Sequence, residues 1–168
     1  MEEILKTNIK NYNLDILKEE LKKIGEKPFR AEQIFKWIYQ DKVDSFDKMT
    51  NLSIELRKKL DENFTLGNFK IIKKLESVDG TKKYLFDVQD DKGNMIESVL
   101  MKYKHGNSVC ISSQAGCRMG CRFCASTLDG LVRGLTPAEM LEQIYRVGED
   151  IGERISNVVV MGTGEPLD

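Results

Sequence analysis

The 168-residue sequence predicts an α+β fold in two parts. In residues 1–102 the spacing of apolar residues changes from a helical period to short alternating runs, which predicts helices followed by a small antiparallel sheet. Residues 103–168 show the order strand, loop, helix, strand, which is typical of one βαβ unit of a parallel sheet or barrel. We therefore expect an N-terminal accessory domain over residues 1–102 and the start of an α/β domain over residues 103–168.

Three amphipathic segments predict the helices of the first part. In residues 13–24 the apolar residues share one helical face, Asn13 is a suitable N-cap, and Gly25 follows the last apolar position. Pro28 can open a second helix, which is rich in aromatic residues. Residues 53–63 predict a third helix of the same kind.

Three short segments rich in β-branched and aromatic residues predict the small sheet. Residues 69–75 and 82–88 lie on either side of the turn signal Asp79-Gly80, so we expect a hairpin. Residues 95–104 alternate well enough to form a third strand.

The second part begins with a buried strand over residues 108–112. Thr136 is a suitable N-cap for the helix that follows, and Glu139 can complete a capping box with it. The apolar residues 155–161 predict a strand that is buried on both faces. Since one βαβ unit can neither close a barrel nor cover both faces of a parallel sheet, we expect the chain to be the front part of a longer protein.

The composition favours a cytoplasmic protein without membrane contact. The formal net charge is −1, and no lysine follows Lys104. No apolar run is long enough to span a bilayer, and the N-terminus has neither the basic start nor the apolar core of a signal peptide.

All four cysteines, Cys110, Cys117, Cys121 and Cys124, lie close together, which without a secretory signal indicates metal or redox chemistry. The last three can surround one four-iron cluster from a single loop and leave one iron open to an exogenous chelate. The alternative is a structural zinc site in an interaction module, with Cys110 as fourth ligand. Zinc sites of this kind usually contain two separated CxxC-like pairs, which this sequence lacks.

The spacing Cys-x3-Cys-x2-Cys, with Phe123 before the last cysteine, resembles the signature of radical S-adenosylmethionine (SAM) enzymes. The wider segments 110–117 and 160–167, and residues 27–34, resemble the radical-SAM RNA adenine methyltransferases. Members of that family modify carbon 2 of an adenosine in 23S rRNA and in some tRNAs, and a sister family methylates carbon 8. The resemblance implies that residues 103–168 form the first βαβ unit of an incomplete radical-SAM α/β barrel.

The resemblance also implies the cofactors and the residues that bind them. Cys117, Cys121 and Cys124 would hold a 4Fe-4S cluster whose open iron takes SAM, and an electron donor such as a flavodoxin would reduce the cluster. Gly164 and Glu165 would bind SAM, because glycine lets the backbone come close and a carboxylate can accept a hydrogen bond from the SAM amino group.

Two further residues gain catalytic roles by the same resemblance. Cys110 alone would be interpreted as a small buried strand residue, and Glu97 as a solvent-facing one. In the family, the matching cysteine helps to release a covalent bond between RNA and protein, and the matching carboxylate exchanges a proton at the adenine ring. The second, methyl-carrying cysteine of the family has no counterpart here, so we expect these 168 residues alone to transfer no methyl group.

The RNA partners would be 23S rRNA and tRNA, bound by a monomer. The N-terminal helices and the lysines of the small sheet could contact RNA phosphates. A solvated charged face is an equally good interpretation, since acidic residues are interleaved with these lysines. The lysines are Lys70, Lys73, Lys74, Lys82 and Lys83.

Overall fold

The computed structural model describes residues 6–67 and 69–168. They form two compact units, one within residues 1–67 and the other within residues 68–168. Each unit has its own apolar core.

Three helices and a short parallel ladder make up the first unit. These elements are β1 (Thr7–Asn8), α1 (Leu14–Lys23), α2 (Arg30–Tyr39), α3 (Ile54–Asn63) and β2 (Phe64–Thr65), with β1 paired to β2. The three predicted helices are confirmed. Asn13 caps α1 by accepting a hydrogen bond from Ile16 N at 2.9 Å, and Leu17 and Leu21 on the same helix are fully buried.

The second unit is a five-stranded mixed sheet with one helix and one small hairpin. The strands are β3 (Lys70–Glu76), β4 (Lys82–Asp87), β5 (Met95–Tyr103), β6 (Gly106–Cys110), β7 (Gln114–Gly116), β8 (Leu131–Gly134) and β9 (Ile155–Val159). The main sheet has the order β3-β4-β5-β6-β9, and β7 pairs with β8 alone. The predicted hairpin around Asp79-Gly80 is confirmed as β3 and β4.

Helix α4 (Pro137–Ile151) connects β6 to β9, which pair in parallel, so the predicted βαβ unit is confirmed. The predicted capping box is also present: Thr136 Oγ1 accepts from Glu139 N, and Glu139 Oε2 accepts from Thr136 N at 2.7 Å. No helix among residues 6–67 and 69–168 is long and apolar enough to cross a membrane.

The two faces of the main sheet differ. One face, the helix face, carries the buried core with which Val147 of α4 clusters; its residues include Tyr84, Phe86, Ile96, Leu100 and Val109. Because neighbouring residues of a strand point to opposite sides, the alternate positions form a second face, which we call the open face. Across the strands its residues are Lys73, Lys83, Leu85, Glu97, Val99, Cys110 and Val159, none of which is fully buried.

The prediction that residues 155–161 form a strand buried on both faces is wrong. The strand ends at Val159, and Val158 and Val159 are 42% and 37% exposed. The reason is that β9 is an edge strand of the described sheet, with β6 as its pairing partner. An unbroken apolar run shows that burial is favoured, but it does not show which element covers the strand.

The division between the two compact units lies at residue 67, whereas the sequence predicted a domain boundary at residue 102. Strand β5 pairs with β6 through partners from Val99–Cys110 to Tyr103–Gly106, so a continuous hydrogen-bond ladder crosses residue 102. The small antiparallel sheet of residues 70–103 therefore forms one sheet with the first strand of the βαβ unit.

Candidate active site

The cysteine loop leaves the main sheet just after β6 and is closed by the β7–β8 hairpin. Gly116 pairs with Leu131, and Cys117 N donates to Gly130 O at 3.0 Å. A Cβ atom on Gly116 would lie 2.0 Å from Gly130 O, and the residue has a φ of +74°, so only glycine fits. The two ends of the loop are therefore held together at their backbones.

Short local hydrogen bonds order the loop between the cysteines. Cys124 N donates to Cys121 O at 3.0 Å, and Thr127 Oγ1 donates to Cys124 O at 2.9 Å. All cysteines are free: Cys117 is buried, Cys124 is partly buried, and Cys121 is exposed. Within the described part of the chain, no three His, Cys, Asp or Glu side chains are gathered closely enough to hold a metal ion.

Arg133 on β8 attaches the hairpin to two other elements. Its guanidinium donates to Asp90 Oδ2, in the turn before β5, at 2.8 and 3.0 Å, and to both carboxylate oxygens of Glu139 on α4 at 2.7 and 2.9 Å. Burial alone would raise the pKa of Asp90, but hydrogen bonds from Asn94 and Arg133 outweigh it and lower that pKa to about 2. The pKa of Glu139 is likewise lowered, since bonds from Arg133 and Thr136 outweigh burial.

The segment after β9 lies beside the segment that precedes the cysteines. Thr163 O accepts from Ser113 N at 3.0 Å and from Gln114 N at 3.2 Å, and Glu165 N donates to Gln114 Oε1 at 3.0 Å. A Cβ atom on Gly164 would lie 2.6 Å from Gln114 Cβ, and its φ is +106°, so glycine is required for this approach. The predicted SAM-binding residues Gly164 and Glu165 are thus brought next to the start of the cysteine loop.

Glu97 and Cys110 lie on adjacent strands and on the open face. Cys110 is directly opposite Val99, two residues along β5 from Glu97, so Glu97 and Cys110 are diagonal neighbours, at about 7–8 Å by usual sheet geometry. Glu97 is exposed, and its Oε1 lies 2.8 Å from Lys83 Nζ. Cys110 is partly buried and lies on β6, outside the loop that carries the other cysteines.

Known proteins are similar to this chain over most of its length. The family model described as "Ribosomal RNA large subunit methyltransferase N-terminal domain" matches residues 7–66. A Clostridium novyi protein named "Probable dual-specificity RNA methyltransferase RlmN" is 54% identical over 162 residues, which are 96% of this chain and 47% of that protein. A Lachnospira eligens protein of the same name is 58% identical over 163 residues, 96% of this chain and 46% of the relative. Over almost its whole length, the chain is thus similar to the N-terminal portion of proteins named RlmN.

A solved structure supports the same relationship. The crystal structure of a radical SAM methyltransferase from Sphaerobacter thermophilus superimposes with a TM-score of 0.85 at 37% identity. The match covers 96% of this chain and 48% of that one. The chain therefore spans about half the length of the RlmN relatives it matches, and the matched half includes both compact units.

The donor types present match the cofactors that the similarity to radical SAM methyltransferases implies. Three free thiols on one glycine-containing loop are the donor set of an iron-sulfur cluster. Beside Thr163, the hydroxyl of Ser113 is buried and has no hydrogen-bond partner among the residues described, so a polar group is available to a polar ligand. The donor types of Cys117, Cys121 and Cys124 therefore match those of an iron-sulfur cluster, although their side chains are not gathered around one point in this structure.

Sequence reasoning missed the residues that connect these pieces, namely Lys83 as the partner of Glu97, Arg133, Ser112 and Gln143. One signal was available. Gln143 lies between Met140 and Ile144 on the apolar stripe of α4, and a polar residue at a core position indicates a buried hydrogen-bond network. The partners of Lys83 and Ser112, and Asp90 as a partner of Arg133, are distant in sequence and give no local signal.

Proposed function

We propose that this chain forms the N-terminal part of a radical-SAM RNA methyltransferase that methylates carbon 2 of an adenosine in 23S rRNA and in tRNA. The observation that carries the proposal is that Glu97 and Cys110 share the open face as diagonal neighbours, on strands that lead to the cysteine loop. The names of the relatives support an RNA substrate and dual specificity.

Cys117, Cys121 and Cys124 would hold the 4Fe-4S cluster, and Gly164 and Glu165 would bind SAM. When bound and reduced, the cluster would supply the electron for the cleavage of SAM. Glu165 is partly buried, and its Oε1 accepts from Leu167 N at 3.1 Å, which restrains the carboxylate. A restrained carboxylate is suited to accept a hydrogen bond from the SAM amino group.

Glu97 and Cys110 would act on the RNA base. The carboxylate of Glu97 is suited to take and return a proton at the adenine ring, because it lies on the open face and can be reached by a base. The thiol of Cys110 would help to release the covalent bond between RNA and protein by forming a disulfide with the family's methyl-carrying cysteine, while the electron pair of the broken carbon–sulfur bond stays with the RNA base. A planar base laid on the open face can contact both groups, given their separation of about 7–8 Å.

Three wider features belong to the same proposal. Residues 103–168 would begin an incomplete radical-SAM α/β barrel, which the parallel β6–β9 pair and its α4 crossover support. The first unit would contact ribosomal RNA, in keeping with the name of the family model that matches it. The protein would work in the cytoplasm as a monomer, with an electron donor such as a flavodoxin.

The test is transfer of labelled methyl from SAM to a 23S rRNA fragment and to tRNA by the full-length protein. Glu97→Gln and Cys110→Ala should each lower the rate at least about 100-fold, the usual effect of losing an acid–base group. Glu76→Gln, which changes an exposed carboxylate on β3, serves as the control and should leave the rate within about threefold.

Three results would reject the proposal or part of it. Retained activity in Glu97→Gln would remove the proton-transfer role. Label on carbon 8 of adenine, located by mass spectrometry, would assign the chain to the sister activity. A colourless, zinc-loaded protein after anaerobic purification would favour the interaction module.

A further inference from the structure

A buried hydrogen-bond network lies beneath the junction of β6 and β7. Its two centres, Gln143 and Ser112, have no exposed surface. Gln143 Oε1 accepts from Ser112 N and from Ser98 Oγ, both at 2.8 Å. Its Nε2 donates to Ser112 O at 2.9 Å and to Glu139 O at 3.4 Å. The amide thus makes all four of the hydrogen bonds that it can form, and this fixes its orientation and holds Ser112 on both backbone groups.

The hydroxyl of Ser112 joins two parts of the candidate site. It donates to the backbone carbonyl of Glu97 at 2.7 Å and accepts from Thr163 N at 2.9 Å. One contact holds the residue that would move the proton, and the other holds the residue directly before Gly164 and Glu165. Ser112 itself is five residues before Cys117.

We propose that Ser112, oriented by Gln143, is a positioning residue that fixes the backbones of Glu97 and of the Gly164–Glu165 segment relative to the cysteine loop. The inference rests on the proposed function, and it adds a residue that touches neither RNA nor SAM. Reacting groups must be held to about 0.5 Å, and a displacement of about 1 Å can cost a hundredfold in rate. One hydroxyl shared by two site segments provides such a constraint.

Ser98 provides a matched control for a merely structural role. It is also buried, and its hydroxyl donates to the same Gln143 oxygen at the same 2.8 Å distance. Ser98→Ala therefore removes one buried hydroxyl from the network but leaves the bonds to the Glu97 carbonyl and the Thr163 amide intact. If these hydroxyls contribute only to packing and stability, Ser112→Ala and Ser98→Ala should change the methyl-transfer rate by similar factors.

The experiment compares both variants in the full-length protein. Ser112→Ala should lower kcat about 10- to 100-fold and raise KM for SAM several-fold, whereas Ser98→Ala should stay within about threefold on both. Hydrogen exchange, which needs no turnover, should show faster exchange of the Thr163 amide in Ser112→Ala alone. In the wild-type protein that amide should exchange as slowly as the amide of Ile111, which bonds to Val159 O in the sheet.

Two outcomes would overturn the inference. The first is an equal loss of activity in the two variants. The second is fast exchange of the Thr163 amide in the wild-type protein, which can be measured even if Ser112→Ala does not fold. If the wild-type protein transfers no methyl group to RNA, the proposed function fails, while exchange at Thr163 still decides whether Ser112 holds this segment.

Discussion

At the scale of single residues, Gly116 and Gly130 have nearly the same left-handed backbone but different surroundings. Their φ values are +74° and +73°, yet a Cβ atom on Gly116 would meet Gly130 O at 2.0 Å, while one on Gly130 would meet nothing within 4 Å. The strain of a left-handed alanine, about 1–2 kcal/mol, is therefore common to both sites. The backbone clash is specific to Gly116.

We predict that Gly116→Ala destabilises the chain at least about twice as much as Gly130→Ala, because the clash forces β7 and β8 apart. Urea unfolding measures the stability of each variant. Iron and sulfide content after anaerobic reconstitution measures whether the loop still binds a cluster, and we expect Gly116→Ala to retain less than about half of the wild-type iron. Equal iron binding by the two variants would show that hairpin closure does not organise the cysteines.

The sequence was sufficient to propose residues for the chemistry, since Glu97, Cys110 and the three loop cysteines follow from spacing and resemblance. It was not sufficient for Ser112, and for Gln143 it indicated only that a polar residue lies on the apolar stripe of α4. The hydroxyl of Ser112 meets partners 15 and 51 residues away, and such contacts exist only once the sheet has formed. No periodicity or local motif predicts these contacts of the Ser112 hydroxyl.

At the scale of elements, helices and hairpins with local signals were predictable, but the β7–β8 hairpin was not. The capping box of α4 and the Asp79-Gly80 turn each lie within a few residues of the element they define. Strands β7 and β8 have only three and four residues, and each finds its partner across the whole of residues 117–130. Because these backbone ladders are short, the ion pairs of Arg133 with Asp90 and Glu139 also hold the hairpin in place.

We predict that the Arg133 contacts stabilise the hairpin at neutral pH and lose this effect in acid. The pKa of Asp90 is lowered from 3.8 to about 2, and that of Glu139 is also lowered. A lowered pKa means that the folded state holds protons less tightly than the unfolded state. The stabilisation is therefore complete above about pH 4.5 and is lost as the pH falls towards 2.

Arg133→Met tests this point, and we expect it to lower the free energy of unfolding at pH 7 by about 1–3 kcal/mol, typical for hydrogen bonds to charged groups. The variant should also lose less stability than the wild type between pH 5 and pH 2, as measured by urea unfolding. Lys102→Met removes an exposed pair with Glu153 and should change little. An unchanged acid dependence in Arg133→Met would contradict the role of the cluster.

At the scale of the whole molecule, the order of elements was predictable but their grouping into compact units was not. The change from helical to alternating periodicity near residue 67 coincides with the division between the units. Strands β5 and β6 pair as a tight hairpin, with Tyr103 opposite Gly106, and the change of charge composition after Lys104 gave no sign that this hairpin joins the two predicted parts. The resulting sheet has one helix-covered face and one open face, and the surface lysines are divided between them.

Adjacent lysines on β3 test whether the open face contacts RNA. Lys73 is opposite Leu85 on the open face and forms no ion pair with any residue that the structure describes. Lys74 is opposite Tyr84 on the helix face, and its Nζ lies 2.8 Å from Asp150 Oδ1. Because each phosphate contact adds about 0.7–0.9 to the slope of log K against log salt, Lys73→Ala should reduce that slope by about this amount. Lys74→Ala should leave the slope unchanged, since its charge is already neutralised by Asp150.

Filter binding of a 23S rRNA fragment and of tRNA by the full-length protein at several salt concentrations gives the slopes. Equal slopes for wild type and Lys73→Ala would mean that Lys73 is a solvated surface residue, and a change in Lys74→Ala alone would place RNA on the helix face.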